Sequence, residues 1–289
     1  MPPPSPTVAR LELASTLKAR RWETGRDART VFQALHVSRN HLSAIENARA
    51  LPTEEMLDAI ATVLECDAEE GDYLRNLLRI ARERGWWDEY ARHVNADLLE
   101  LCGLEHGAER LRIFDPRVVT GLLQTEEYAR ALTGASPDLS RLVVDSYVGL
   151  RMRRQERLRP PDPLVVTVVQ GETALYQEIG GADVLLRQLR HLATVIDDLE
   201  STLSFHVQPF SSTPSALATA SSIALFDFTT PYLGTMAWEA GQTTAGVTAD
   251  PEQIELLEPS FELTLESCLD REASRDLVHR RLAELEAEL

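Results

Sequence analysis

Residues 37–47, Val-Ser-Arg-Asn-His-Leu-Ser-Ala-Ile-Glu-Asn, place Arg39, Asn40, Ser43 and Ala44 on one face of a short helix and Leu42 and Ile45 on the other. The outward set carries base-reading chemistry. Arg pairs bidentately with guanine, Asn with adenine, and a small Ala lies against a thymine methyl. Ser38 stands where an N-cap belongs, after a tight His-Val-Ser turn, and Val37 joins the inward set. The plain alternative is a helical bundle with a solvated polar face; the joint pattern favours a groove reader.

Four short helices are expected to position this face. Leu11, Leu13, Ala14 and Leu17 give a first helix its apolar side, and it should end near Trp22-Glu23-Thr24-Gly25. Asp27 reads as the N-cap of a second helix running to about Leu35. Pro52 stops the chain after the reading helix, and Thr53 with Met56, Leu57, Ile60 and Leu64 starts a fourth. A further stripe, Leu74, Leu77, Leu78 and Ala81, predicts a helix bridging two domains, which ends in the packed joint Arg84-Gly85-Trp86-Trp87. The expected organisation is therefore 1–66 as the helix-turn-helix domain, 67–95 as connector and Trp-rich joint, and 96–289 as a second domain.

The run Val-Ser-Arg-x-x-Leu-Ser-x-Ile-Glu-Asn-x-Arg, followed by Pro and an amphipathic helix, resembles the Cro/repressor (XRE) type of helix-turn-helix. That resemblance implies base contacts by Arg39, Asn40, Ser43 and Ala44 and backbone-phosphate contacts by Ser38, Asn47 and Arg49. The chain departs from the pattern at Ala28, where a phosphate-binding Gln is usual, and at Phe32, where a small residue sits at the helix crossing. His36 and Ala48 stand in place of turn glycines.

Charge is segregated along the chain. The 289 residues carry a net −17, from 29 basic and 46 acidic side chains. Residues 1–50 hold eight basic residues (Arg10, Lys18, Arg20, Arg21, Arg26, Arg29, Arg39, Arg49) against four acidic ones, a local +4 that leaves −21 for the remainder. Such a distribution orients the head on a polyanion and keeps nonspecific binding weak, so useful affinity for a double-stranded DNA operator calls for two heads in a homodimer. No apolar run approaches a membrane span and the Pro-rich start lacks a signal-peptide core, so a cytoplasmic location is expected. Cys66, Cys102 and Cys268 are odd in number and lack ligand spacing; neither a metal nor a disulfide is expected.

The second half reads as α+β with a mostly antiparallel sheet. Strands are predicted near 110–114, 164–170, 203–208, 222–228 and 233–238, and helices near 138–158, 183–199, 252–266 and 271–287. Leu185, Leu189, Leu192, Ile196 and Leu199 form a seam that packs on the sheet or on a second subunit, and Val278, Leu282, Leu285 and Leu289 form another. Phe-Asp-Pro-Arg-Val-Val-Thr-Gly-Leu-Leu-Gln-Thr-Glu-Glu-Tyr-Ala-Arg-Ala-Leu at 114–132, with Arg-Gly-Trp-Trp-Asp-Glu-Tyr before it and Met-Arg-Arg-Gln-Glu-Arg-Leu after it, resembles the C-terminal domain of WhiJ-like actinobacterial regulators, a group of antitoxin-like transcriptional regulators. Thr120 and Met236-Ala237-Trp238-Glu239 depart from that pattern.

The resemblance implies a regulator whose second domain binds an effector or a small protein encoded nearby. Sequestration of such a partner, with DNA binding secondary, is the alternative. A small-molecule sensor or enzyme is a further reading, with a candidate pocket between the 122–128 segment and the sheet at Gln124, Tyr128, Arg154 and Glu239. Glu172, His191, His206, Ser201, Ser204 and the 211–213 turn form no catalytic constellation, and no P-loop, nucleophile elbow or dinucleotide fingerprint is present, so neither catalysis nor a cofactor is expected.

Overall fold

A computed structural model describes residues 2–212, 216–217, 219–230, 232–240 and 245–289; Thr213 of the 211–213 turn lies outside them. The chain divides into two compact units, one formed by 3–88 with 228–234, the other chiefly by 89–227 and 235–289.

The first unit is built from α1 (Pro6–Glu23), α2 (Ala28–Ala34), α3 (Arg39–Glu46), α4 (Glu54–Val63) and α5 (Ala68–Ala81). Each start has a local cause. Ser5, Asp27, Ser38, Thr53 and Asp67 each accept a backbone N–H of the first turn, and Asp67 with Glu70 completes a reciprocal capping box. Leu13 and Leu17 of α1, Val31 of α2, Leu42 and Ile45 of α3, Leu57 and Ile60 of α4 and Leu74, Leu77 and Leu78 of α5 share one core. The α5 stripe, expected to serve a connector, is thus part of the helix-turn-helix bundle. Its amphipathic period could not say which core it would enter. Tyr73 of α5 also donates its hydroxyl to the buried Glu12 carboxylate of α1.

The second unit opens with a 3₁₀ turn at Trp86–Tyr90, whose last residues belong to it, and α6 (Ala96–Gly107). There follow β1 (Arg110–Asp115), α7 (Glu126–Gly134), α8 (Arg141–Arg154), β2 (Val165–Gly171), α9 (Ala182–Asp198), β3 (Leu203–Gln208), β4 (Ser222–Asp227), β5 (Met236–Ala240), β6 (Ala245–Thr248), α10 (Pro251–Glu266) and α11 (Arg271–Glu288). The six-stranded sheet has the order β3-β2-β1-β4-β5-β6. It is mixed, which corrects the mostly antiparallel expectation: β1, β2 and β3 pair in parallel, whereas β1-β4, β4-β5 and β5-β6 are antiparallel. The cause lies in the connections. Helices α7 and α8 separate β1 from β2, and α9 separates β2 from β3, so each chain return is a crossover that re-enters in the same direction.

One sheet face, through Phe114, Ile223, Leu225 and Ala237, packs against Ile254 and Phe261 of α10. Leu185, Leu189 and Leu192 of α9 are fully buried, with α9 lying against β3, α7 and α11, so this seam is spent within the unit. Val278 and Leu285 of α11 are buried too, whereas Leu289 is exposed. No helix of the described residues is long and apolar enough to cross a membrane.

Candidate functional site

The turn between α2 and α3 closes through Val37 N–H donating to Phe32 O (3.0 Å) and His36 N–H to Gln33 O (3.2 Å). His36 lies at φ +53° and Ala48, just past α3, at φ +56°. Both positions demand the left-handed backbone that glycine adopts without strain. The Phe32 ring is half-buried against the bundle core, and Ala28 also packs there, leaving the N-terminal turn of α2 to Arg29.

Ser38 accepts His41 N–H at 3.2 Å and so sets where α3 begins. With Leu42 and Ile45 buried, Arg39 and Asn40 are exposed and Ser43 and Ala44 half-buried on the opposite side. Asn47 caps the C-terminal end of α3, its Nδ2 donating to Ser43 O (2.6 Å) and Ser43 Oγ (3.2 Å); Arg49 is exposed beyond it. Glu46 has a role that the reading of the sequence left unassigned. Its carboxylate receives Arg21 Nε (2.6 Å) and Nη2 (3.1 Å), fastening the end of α3 to the end of α1.

This pairing sorts the basic residues of the head. Arg20 is neutralised by Glu23 and Glu70, Arg21 by Glu46, and Arg26 by Glu65. Arg29, Arg39 and Arg49 are exposed and, among the described residues, form no ion pair. All three belong to the helix-turn-helix segment. Arg29, beside Ala28, is an exposed cation in the first turn of α2 that its position in the sequence makes legible.

Of the four candidate pocket residues, the structure brings Gln124 and Arg154 to one cavity of about 180 Å³. Glu239 is exposed on the other face of β5, opposite Ile223. Tyr128 is fully buried, and its hydroxyl accepts Val119 N–H (3.3 Å), so it supports the 116–125 loop from behind. Burial pushes the Tyr128 phenol up to about 12.

The cavity floor follows from strand register. Ile113, Ala224 and Trp238 form one row across β1, β4 and β5; Ser222 and Ala240 pair in the next row, with Asp115 beside Ser222. Small side chains at Ser222, Ala224 and Ala240 leave the hollow, and Leu98, Leu101, Glu105, Arg151 and Arg154 of α6 and α8 wall it. The loop over it is clamped by buried amides. Gln170 donates to Asp115 O (2.6 Å) and Val118 O (2.8 Å) and accepts Thr120 N–H (3.1 Å); Gln188 donates to Leu123 O and accepts Thr125 N–H, both at 2.7 Å. Close approach requires glycine at 171, where a Cβ would stand 2.1 Å from Pro116 O.

Within the cavity, Arg154 has its charge compensated: Nε and Nη2 donate to the Glu105 carboxylate at 2.7 and 2.5 Å, and that partner raises its affinity for the proton despite burial. Arg151 is not paired in this way. It donates Nη1–H to the neutral Gln124 Oε1 (2.8 Å), and burial, then the nearby Arg154, lower its pKa to about 10. Asp115 accepts Ser222 Oγ–H (2.6 Å); burial raises its pKa to about 6, against the lowering by Ser222, Arg151 and Arg117. Neither Asp115 nor Arg151 was among the expected site residues. The signals were an Asp that directly follows the apolar pair Ile113-Phe114 at the end of β1 and an Arg one helical turn before Arg154.

Two family models match the chain. Residues 12–74 match a helix-turn-helix domain, which marks a DNA-binding regulator, and residues 98–280 match a domain of unknown function, DUF5753. No curated protein and no solved structure matches. With the second model spanning more than half of its length, the chain belongs to the DUF5753 family and carries a helix-turn-helix domain ahead of the family domain.

Proposed function

We propose that this protein is a sequence-specific transcriptional regulator, of the kind its resemblance to WhiJ-like regulators implies, that binds operator DNA as a homodimer and receives an effector or a small partner protein on its C-terminal domain. Helix α3 enters the major groove with Arg39 and Asn40 on base edges and Ser43 and Ala44 against the groove floor. Ser38, Arg49 and Arg29 meet phosphates, while Asn47 holds the end of α3 in register. No catalytic step forms part of this reading.

The observation that carries it is the sorting of charge. Among the described residues Arg29, Arg39 and Arg49 are exposed and form no ion pair, while Arg20, Arg21 and Arg26 are neutralised by Glu23 and Glu70, by Glu46 and by Glu65. Three uncompensated cations thereby fall in the same helix-turn-helix segment that presents Asn40, on a chain of net −17. The test is titration of a duplex from the protein's own upstream region against a scrambled duplex at physiological salt. Selective binding by the wild type that Arg39→Ala reduces is expected; equal affinity for both duplexes, or undiminished selectivity in the variant, refutes the assignment.

A further inference from the structure

The cavity between the sheet and α6 and α8 contains, beside one ion pair, opposite charges that, among the described residues, form no direct ion pair with one another. Arg154 and Glu105 are paired with each other, so their charges are already compensated. Arg151 and Asp115 remain. Among the described residues neither has an ion-pair partner; Arg151 has one neutral acceptor and Asp115 one hydroxyl donor. Both line the same hollow, with Leu98, Leu101, Ile113 and Leu132 supplying an apolar wall. Trp238 also lines it, and its Nε1–H is buried with no hydrogen-bond partner among the described residues.

Desolvated charges whose mutual attraction is not closed by a direct ion pair cost stability unless something completes them. The complement of this cavity has a carboxylate for Arg151, an ammonium for Asp115 and a short apolar body. A cavity on the order of 150 Å³ accommodates a benzene-sized molecule, and this one measures about 180 Å³. We propose that the C-terminal domain binds a small zwitterion of the α-amino acid class with an apolar side chain, its carboxylate on Arg151, its ammonium on Asp115 and its side chain against Leu98, Leu101 and Leu132. As an effector site this deepens the regulator reading and rests on it; as a binding site it stands alone.

The experiment measures thermal unfolding and calorimetric binding of the full chain with L-leucine, L-valine and L-phenylalanine, beside 4-methylpentanoate and 3-methylbutylamine, which each lack one charged group of leucine. The expected result is a rise in Tm with at least one amino acid and none with either half-molecule, since only a ligand of the folded state raises Tm. Arg151→Met should weaken amino-acid binding roughly tenfold or more, the scale of one charge-assisted hydrogen bond. Asp115→Asn keeps the shape and the Ser222 contact, so it separates a lost ligand contact from a lost fold; it should abolish the preference for leucine over 4-methylpentanoate. No response to any of the three amino acids, or an equal response to a half-molecule, overturns the proposal. A thermal response from a protein that binds no DNA upholds this site and overturns the regulator reading. Selective DNA binding with no thermal response does the reverse.

Discussion

Breaking the contact between Arg21 and Glu46 should loosen α3 and weaken DNA binding without removing any contact to DNA. The two side chains are only 12% and 10% exposed, and the guanidinium meets the carboxylate through two hydrogen bonds at 2.6 and 3.1 Å. Truncation of either partner leaves the other largely desolvated and unpaired, a loss of about 3 kcal/mol for a pair this covered. The double variant loses less than the sum, giving a coupling of about 2 kcal/mol, the net worth of two charge-assisted bonds. The variants are Arg21→Met, Glu46→Gln and the pair, assayed by thermal unfolding with far-UV circular dichroism and by DNA titration over a salt series. Glu46→Gln is the discriminating case. It makes the head more positive, so charge alone predicts tighter binding, whereas positioning of α3 predicts weaker binding with the salt slope unchanged. Tighter binding by Glu46→Gln, or a coupling below about 0.5 kcal/mol, which is the level of additivity between independent sites, refutes the positioning role.

Arg49→Ala should weaken binding to operator and scrambled DNA alike and reduce the salt slope by roughly one, whereas Arg39→Ala should cost about 1–3 kcal/mol on the operator alone; parallel titrations separate the two. Ala48→Gly should raise stability by about 1 kcal/mol, because φ +56° strains any side chain there, and His36→Gly should act in the same direction; thermal unfolding reads both. Asp115 is raised from its ordinary 3.8 to about 6 by burial, so the folded chain holds a proton that the unfolded chain has released. Its penalty is absent below about pH 4, grows as pH rises through 6, and reaches at most about 3 kcal/mol above that. Asp115→Asn should therefore be more stable than wild type at pH 8, with the gap closing towards pH 4.

The helix-turn-helix was legible because its signals are local. Asp27, Ser38 and Thr53 cap the helices they were expected to cap, and Leu42 and Ile45 point inward on the 3.6-residue period. Whereas the short β6 at Ala245–Thr248 was not expected, the positions of β1 to β5 were legible for the same reason, to within a few residues. Strand pairing was not, because direction is set by what lies between strands: the helices at 126–154 and 182–198 turn a run of strands into a parallel half-sheet, which alternation within each strand does not encode. The same distinction explains the cavity. Gln124 and Arg154 were found through a motif, but Tyr128 and Glu239 fell elsewhere because their orientation depends on which side of the 116–125 loop and of β5 each occupies. Glu46 escaped notice because its partner, Arg21, lies 25 residues away.

The two faces of the central strands show why the cavity bears on function more than on folding. Towards α10, Phe114, Ile223 and Leu225 fill the interface with apolar bulk, and the charges on this face are paired, Arg112 of β1 with Asp227 of β4 and with Glu258 and Glu262 of α10. Towards α6 and α8, the same strands present Asp115, Ser222, Ala224 and Ala240, small or charged residues that fail to fill their volume. A sheet selected only for stability has no use for the second face, since apolar residues of matching size at Asp115 and Arg151 would remove two desolvation penalties at once. A direct ion pair between them would offset part of that cost, as Arg154 and Glu105 do one helical turn away. Holding one pair closed and leaving the other open, under a loop pinned by Gln124, Gln170 and Gln188, is what a preorganised site for a two-charged ligand requires: the cavity exists before the ligand arrives, and binding affinity is not spent on assembling it.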